Sequence, residues 1–129
     1  MPLARLHVSL LGVAGPDPEV LAAAERVRAR PFRIAFNRIG AWGRGEGVRP
    51  VVLWGDEGVI GAEWLHEALE AALRAGPPRT ICPHMTLARE ADAIPERIVA
   101  PVSWWVRDFV LVRSGGGRSE VLGRWPLRP

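Results

Sequence analysis

The order of apolar and polar residues predicts strands over much of the chain. Residues 3–13 are rich in Leu and Val and end at glycines, and residues 32–43 place Phe32, Ile34 and Phe36 at alternate positions. Alternation with a period of two is typical of a strand that is buried on one face. The predicted strands cover residues 3–13, 32–43, 49–55, 81–89, 103–114 and 119–127. A Gly-Gly-Gly turn separates the last two strands, which predicts a β-hairpin.

Two segments have the 3.6-residue period of amphipathic helices. Residues 16–30 begin with Asp17 as a predicted N-cap and stop before Pro31, and residues 61–78 end at a Gly-Pro-Pro sequence. The element order is therefore β α β β α β β β, with a crude duplication of its two halves. We expect an α+β fold of two lobes within a single domain, residues 1–129. The predicted inward residues are Val20, Ala24 and Val27 in the first helix and Leu65, Leu69, Ala72 and Leu73 in the second.

Composition narrows the class of protein. Apolar residues make up 48% and charged residues 24%, which is the balance of a globular protein rather than a disordered one. The net charge is +3 and every cationic side chain is an arginine, which suits an anionic ligand such as a phosphate. The single cysteine excludes an internal disulfide, and no apolar run reaches the roughly 18 residues of a membrane helix. We expect a cytoplasmic protein without membrane association.

Two of the three histidines stand in matching strands, each followed at the second position by a hydroxyl. They are His7 and Ser9 in "RLHVSLLGV", and His84 and Thr86 in "ICPHMTLAR". Residues two apart in a strand share a face, so each strand presents one imidazole and one hydroxyl to the same surface. If the two lobes face each other, the imidazoles flank a cleft with the hydroxyls at its floor.

This set of groups suits in-line attack at phosphorus. A neutral imidazole takes a proton from the nucleophile while an imidazolium protonates the leaving oxygen, and each transfer contributes roughly 10²–10⁴-fold. The hydroxyls can hydrogen-bond to the non-bridging oxygens, whose charge must be stabilised. Two histidines without nearby acidic or cysteine ligands form a poor metal site, so we expect neither a metal nor a cofactor.

The motifs "HVSL" and "HMTL" resemble the paired His-x-Thr/Ser-x motifs of the 2H phosphoesterases. "PHMTLAR", "RPVVLWG" and "FVLVRS" resemble one branch of them, the RNA 2',3'-cyclic phosphodiesterases, also called 2'-5' RNA ligases. The resemblance covers nearly the whole chain. It implies a bilobal fold with two antiparallel sheets and flanking helices around a central cleft. Members of this branch normally have a strand and a helix before the first motif, so we expect a fold that lacks both.

The resemblance also implies roles for the motif residues. His7 is then the general acid and His84 the general base on water, while Ser9, Thr86 and Arg89 hold the phosphate. The implied substrates are RNA ends or small nucleotides with a 2',3'-cyclic phosphate, and the products are 2'-phosphates. The reverse reaction joins RNA ends. In a regular strand Arg89 has the wrong parity to share a face with His84, so its contact depends on its long side chain or on a bulge at the strand end.

Two other functions are compatible with these residues: a non-catalytic RNA- or nucleotide-binding module, and a phosphodiesterase for another small substrate. The second class includes cyclic ADP-ribose phosphate and 2',5'-oligonucleotides. A fold without its first strand and helix leaves an unpaired edge and an uncovered apolar face, which predicts a homodimer or the exchange of an element with a neighbour.

The remaining ring side chains are interpreted as structural. His66 lies among the glutamates of the second helix and is predicted to be a surface residue. Either Trp104 or Trp105 is predicted to enter the core, which leaves the other available to stack a base. The other tryptophans are predicted to be core residues: Trp42, Trp54, Trp64 and Trp125.

Overall fold

A computed structural model of the chain describes residues 6–13, 17–43, 49–73, 80–91 and 94–129. Within these ranges the chain forms two α-helices and six strands, with a 3₁₀ turn at Glu57–Val59 before the second helix. The helices are α1 (Asp17–Glu25) and α2 (Ile60–Leu73). The strands are β1 (Phe32–Ala41), β2 (Arg49–Trp54), β3 (His84–Ala91), β4 (Arg97–Val106), β5 (Asp108–Gly115) and β6 (Arg118–Pro126).

The strands form two antiparallel sheets, and the predicted α+β class is confirmed. Four strands pair in the order β3-β2-β1-β4, and β5 pairs with β6 alone. The predicted hairpin is confirmed at β5-β6. Gly116 and Gly117 have φ values of 57° and 75°, in the left-handed region that a tight two-residue turn requires and that glycine adopts without strain.

One face of the four-stranded sheet is buried against α2. A row of apolar side chains crosses this core face, and Ile34 and Phe36 of β1 are almost completely buried beside it. The stripe that α2 turns toward the interior includes Ala62, Leu65 and Leu69, the last two of which are predicted inward residues. The row consists of Ile39 on β1, Leu53 on β2, Met85 on β3 and Val8 beside β3.

The prediction of one strand over residues 103–114 is wrong. The segment divides near Arg107 into β4, which pairs with β1, and β5, which pairs with β6. Trp104 packs edge-on against Phe36 at a ring separation of 5.8 Å, whereas Trp105 is 51% exposed. The sequence does not indicate this change of partner strand, because apolar and polar residues alternate in the same way in both halves.

Two other predicted elements are shorter in the structure. The first helix ends at Glu25 rather than near residue 30. Residues 27–30 lie outside regular secondary structure, and the Ala29 amide donates to the Arg128 carbonyl at 3.0 Å instead of to a helix carbonyl. In the predicted first strand, the described residues make one isolated antiparallel bridge, between Val8 and Met85. Residues 3–5 of that strand, residue 16, and residues 74–78 of the second predicted helix lie outside the described ranges. No helix within those ranges is long and apolar enough to cross a bilayer.

Candidate active site

The two predicted motif segments lie side by side. The bridge between Val8 and Met85 joins them in antiparallel register, and both of these side chains pack on the core face. Opposite residues in an antiparallel pair share a face, and the next residues on either side point to the other face. Those next residues are the four motif side chains: His7 opposite Thr86, and Ser9 opposite His84.

We call the surface that carries these four side chains the motif face. In this register His7 and His84 are diagonal neighbours, which places them about 7–8 Å apart at the backbone. His7 and Ser9 are exposed, and His84 and Thr86 are half-buried. The motif face therefore presents two imidazoles and two hydroxyls as neighbours on one surface.

The His84 ring is held in one orientation by the main chain. Its Nδ1 lies 2.8 Å from the carbonyl oxygen of Cys82, and a carbonyl only accepts hydrogen bonds, so Nδ1 carries the proton. In the neutral ring Nε2 is then unprotonated and can accept a proton. The buried Pro83 between these residues helps to fix the main chain that supplies this carbonyl.

An aromatic cluster borders His84 on the motif face. The ring of Trp42 lies 4.6 Å from that of His84 and 5.3 Å from that of Trp54. Trp54 is opposite His84 in the β2-β3 pairing, and its ring covers Gly40, where a Cβ would come within 3.1 Å of it. The cluster thus extends an apolar, ring-lined surface from His84 across two strands.

This cluster corrects the prediction that four tryptophans belong to the core. Trp125 is buried at 8% exposure, as predicted, but Trp64 is 68% exposed on α2. Trp42 and Trp54 are half-buried beside His84. Trp105, one of the two predicted base-stacking candidates, lies on β4, which β2 and β1 separate from β3.

A bulge, one of the two alternatives considered for Arg89, is present in β3. Thr86 lies opposite Val52, but Ala88, not Leu87, lies opposite the next β2 residue. The extra residue in β3 reverses the alternation that follows it. Arg89 consequently falls on the motif face, where it is exposed at the far end of the strand from His84.

The profile of the 2'-5' RNA ligase superfamily matches residues 1–118 of the sequence. The chain belongs to this superfamily. The crystal structure of TT0787 from Thermus thermophilus has a TM-score of 0.78 and 28% identity, covering 99% of this chain and 81% of that one. E. coli LigT in its apo form has a TM-score of 0.67 and 28% identity, with 97% and 77% covered. Its complex with 3'-AMP has a TM-score of 0.71 and 26% identity, with 100% and 80% covered.

The comparison with curated proteins found no match to this sequence. The resemblance expected from the His-x-hydroxyl motifs is confirmed, and so is the fold class. Superfamily membership supports an activity of the 2H phosphoesterase and 2'-5' RNA ligase type.

The prediction that His66 is a surface residue of this ligase-superfamily chain is wrong. Its side chain is 3% exposed; Nδ1 lies 2.6 Å from the Leu10 carbonyl oxygen, and Nε2 contacts the carboxylate of Glu70. The sequence carries a signal for this position, because residue 66 falls within the inward stripe of α2 and a glutamate follows four residues later. The stripe residues around it are Ala62, Leu65 and Leu69.

Two further polar side chains near the motif face, Arg38 and Cys82, are not assigned to the site. Arg38, in the same row as Trp54, pairs through Nε with Asp56 at 3.1 Å and through Nη1 with Glu96 at 3.0 Å. These hydrogen bonds and charges raise the pKa of Arg38 above its ordinary value. Partial burial of its sulfur, and the charge of Glu63, raise the pKa of the exposed Cys82 thiol, which therefore stays protonated at neutral pH.

Proposed function

We propose that this protein hydrolyses the 2',3'-cyclic phosphate ends of RNA or small nucleotides to 2'-phosphates, without a metal ion, and catalyses 2'-5' joining in the reverse direction. The observation that carries the proposal is the register of the two motif segments, which places two imidazoles and two hydroxyls on one face. Among the described residues, no three His, Cys, Asp or Glu side chains are grouped as a metal site needs.

His84 is the proposed general base. Its Nδ1 donates a hydrogen bond to the Cys82 carbonyl. In the neutral ring Nε2 is therefore unprotonated, and it points away from that carbonyl. Nε2 takes a proton from water as the water oxygen forms a bond to phosphorus. Orientation by a fixed acceptor on the other nitrogen is the usual way in which a histidine base keeps the correct tautomer.

His7 is the proposed general acid. As the bond from phosphorus to O3' breaks, the His7 imidazolium gives its proton to O3', which leaves a 3'-hydroxyl and a 2'-phosphate. Ser9 and Thr86 donate hydrogen bonds to the non-bridging oxygens, and the Arg89 guanidinium adds a charged contact from the far end of β3. The diagonal placement of the two histidines suits an in-line displacement, because acid and base then stand on different sides of the phosphorus.

The ring surface beside His84 favours a nucleotide substrate. Trp42 is half-buried and adjoins the proposed base at 4.6 Å, so a nucleobase attached to the phosphate has an aromatic face within reach. A relative of the same fold, E. coli LigT, has been crystallised in complexes with 3'-AMP, ATP and NADP+. These three ligands are nucleotides, in agreement with the class of substrate proposed for this chain.

The test is hydrolysis of the four 2',3'-cyclic nucleotides in EDTA, followed by 31P NMR to identify the phosphate isomer. We expect turnover in EDTA with the 2'-phosphate as the sole product. Formation of the 3'-phosphate would contradict the assigned direction of bond cleavage. Binding of cyclic nucleotide without turnover would contradict an enzymatic function and favour a non-catalytic nucleotide-binding module.

A further inference from the structure

The buried pair of His66 and Glu70 adjoins the first motif from the core side. The exposed fractions of the two side chains are 3% and 10%, and they face each other one turn apart on α2. A titratable pair in an apolar stripe is unusual, because a buried charge is costly unless it is paired and hydrogen-bonded. We therefore asked what the polar groups of this pair contact, since apolar side chains would fill the same stripe at a lower cost.

The His66 ring contacts two polar groups, one on each ring nitrogen. Nδ1 donates to the Leu10 carbonyl at 2.6 Å, and Nε2 faces the carboxylate of Glu70. Since a carbonyl only accepts hydrogen bonds, Nδ1 carries a proton, and Nε2 is paired with the Glu70 side chain. The ring thus links α2 to the main chain at residue 10, next to Ser9.

The segment that receives this bond carries the first motif and lies beside β3. Val8 of this segment pairs with Met85 of β3, and β3 in turn is paired along β2 from His84 to Ala91. The apolar side chains of Val8 and Leu10 pack into the core, which favours one register of the segment against β3. The hydrogen bond from His66 to the Leu10 carbonyl adds a directional contact from α2 at the residue next to Ser9.

We propose that His66 is a positioning residue for the phosphate site, which holds His7 and Ser9 in register with His84 through the Leu10 carbonyl. The inference rests on the proposed function, since it names what keeps the two halves of that site aligned. His66 itself lies on the core side of the segment and does not touch the reacting atoms.

Two substitutions separate the two bonds of the ring. In His66→Asn the side-chain amide nitrogen occupies roughly the place of Nδ1 and can still donate to Leu10. In His66→Gln the amide nitrogen reaches toward the place of Nε2 and Glu70, and the bond to Leu10 is lost. Both variants replace the imidazole by a neutral amide. Asn is one methylene smaller than Gln and leaves the larger cavity, so a better retained activity in His66→Asn cannot result from better core packing. Glu67→Gln, on the exposed face of the same helix, is the surface control.

The experiment measures kcat and KM for 2',3'-cyclic AMP in EDTA, together with Tm and amide hydrogen exchange of residues 7–10. We expect His66→Gln to lower kcat about 10–100-fold, because a displacement of about 1 Å at a reacting group has an effect of that size. His66→Asn should retain kcat within about fivefold, even though its smaller side chain should lower Tm at least as much as His66→Gln does. Exchange of residues 7–10 should be faster in the Gln variant than in the Asn variant.

Equal losses of kcat in both variants, in proportion to their Tm, would reduce His66 to a core residue and overturn the inference. So would unchanged exchange of residues 7–10 in His66→Gln. If the wild-type protein does not hydrolyse cyclic nucleotides, the proposed function fails. The positioning role is then decided by exchange and by the dissociation constant for inorganic phosphate, which should rise in the Gln variant only.

Discussion

Replacement of Trp42 by Ala is expected to reduce activity toward nucleotides selectively. Stacking of one base on an aromatic side chain contributes about 1–3 kcal/mol when measured by alanine substitution. Part of the Trp42 ring already contacts His84 at 4.6 Å and Trp54 at 5.3 Å, so only the rest can receive a base. We therefore expect the lower part of the range, about 1–2 kcal/mol, which corresponds to a loss of about 5–30-fold in kcat/KM.

The assay compares 2',3'-cyclic AMP with ribose 2',3'-cyclic phosphate, which has the same reacting group and no base. Trp42→Ala should lose about 5–30-fold with the nucleotide and stay within about threefold with the ribose compound. The His84 ring keeps its bond to the Cys82 carbonyl in this variant, which is why the base-free reaction should persist. Trp105→Ala, exposed on β4, is the matched control. An equal loss with both substrates would show that Trp42 supports His84 rather than the base, and no loss with either would remove it from the site.

Three further predictions test other parts of the account. Cys82→Ala should retain activity, because His84 bonds to the main-chain carbonyl of residue 82 and not to its side chain. The raised pKa of the Cys82 thiol also keeps it from acting as a nucleophile. A loss of more than about tenfold in steady-state assays would refute this prediction. The rate measured in EDTA should pass through a maximum with pH, because the base must be neutral and the acid protonated; a strict requirement for added Mg²⁺ or Zn²⁺ would contradict the mechanism. The homodimer expected from the sequence should appear in light scattering as about twice the 14.1 kDa chain mass; a monomer at all concentrations would exclude it.

The four side chains of the motif face could be predicted from the sequence, because the alternation of side chains along a strand is a local property. His7 and Ser9 share a face for the same reason that His84 and Thr86 do, whatever the rest of the fold. Their juxtaposition depends on the Val8–Met85 register, which joins residues far apart in sequence and which no local pattern encodes. The parity of Arg89 was likewise predictable, but the β3 bulge that reverses it follows from pairing with β2.

The misreadings have a common physical cause, which is that a side chain's environment depends on its tertiary partners. The glutamates around His66 favoured a solvated position, yet the i, i+3 and i+4 spacing to apolar residues was the stronger signal. Trp42 is as apolar as a core residue, but its strand ends beside His84, so the ring is left half-buried on the motif face. The division of residues 103–114 into β4 and β5 depends on the choice of partner strand, since both halves alternate equally well.

The most direct test of the central claim is the kcat of His7→Ala, His84→Ala and the double variant with 2',3'-cyclic AMP in EDTA. Acid and base act in one displacement, so each single variant should lose about 10²–10⁴-fold, and the double variant should lose little more than the worse single one. Single variants within about threefold of the wild type, with intact folding by circular dichroism, would contradict the assignment of the motif face as the active site.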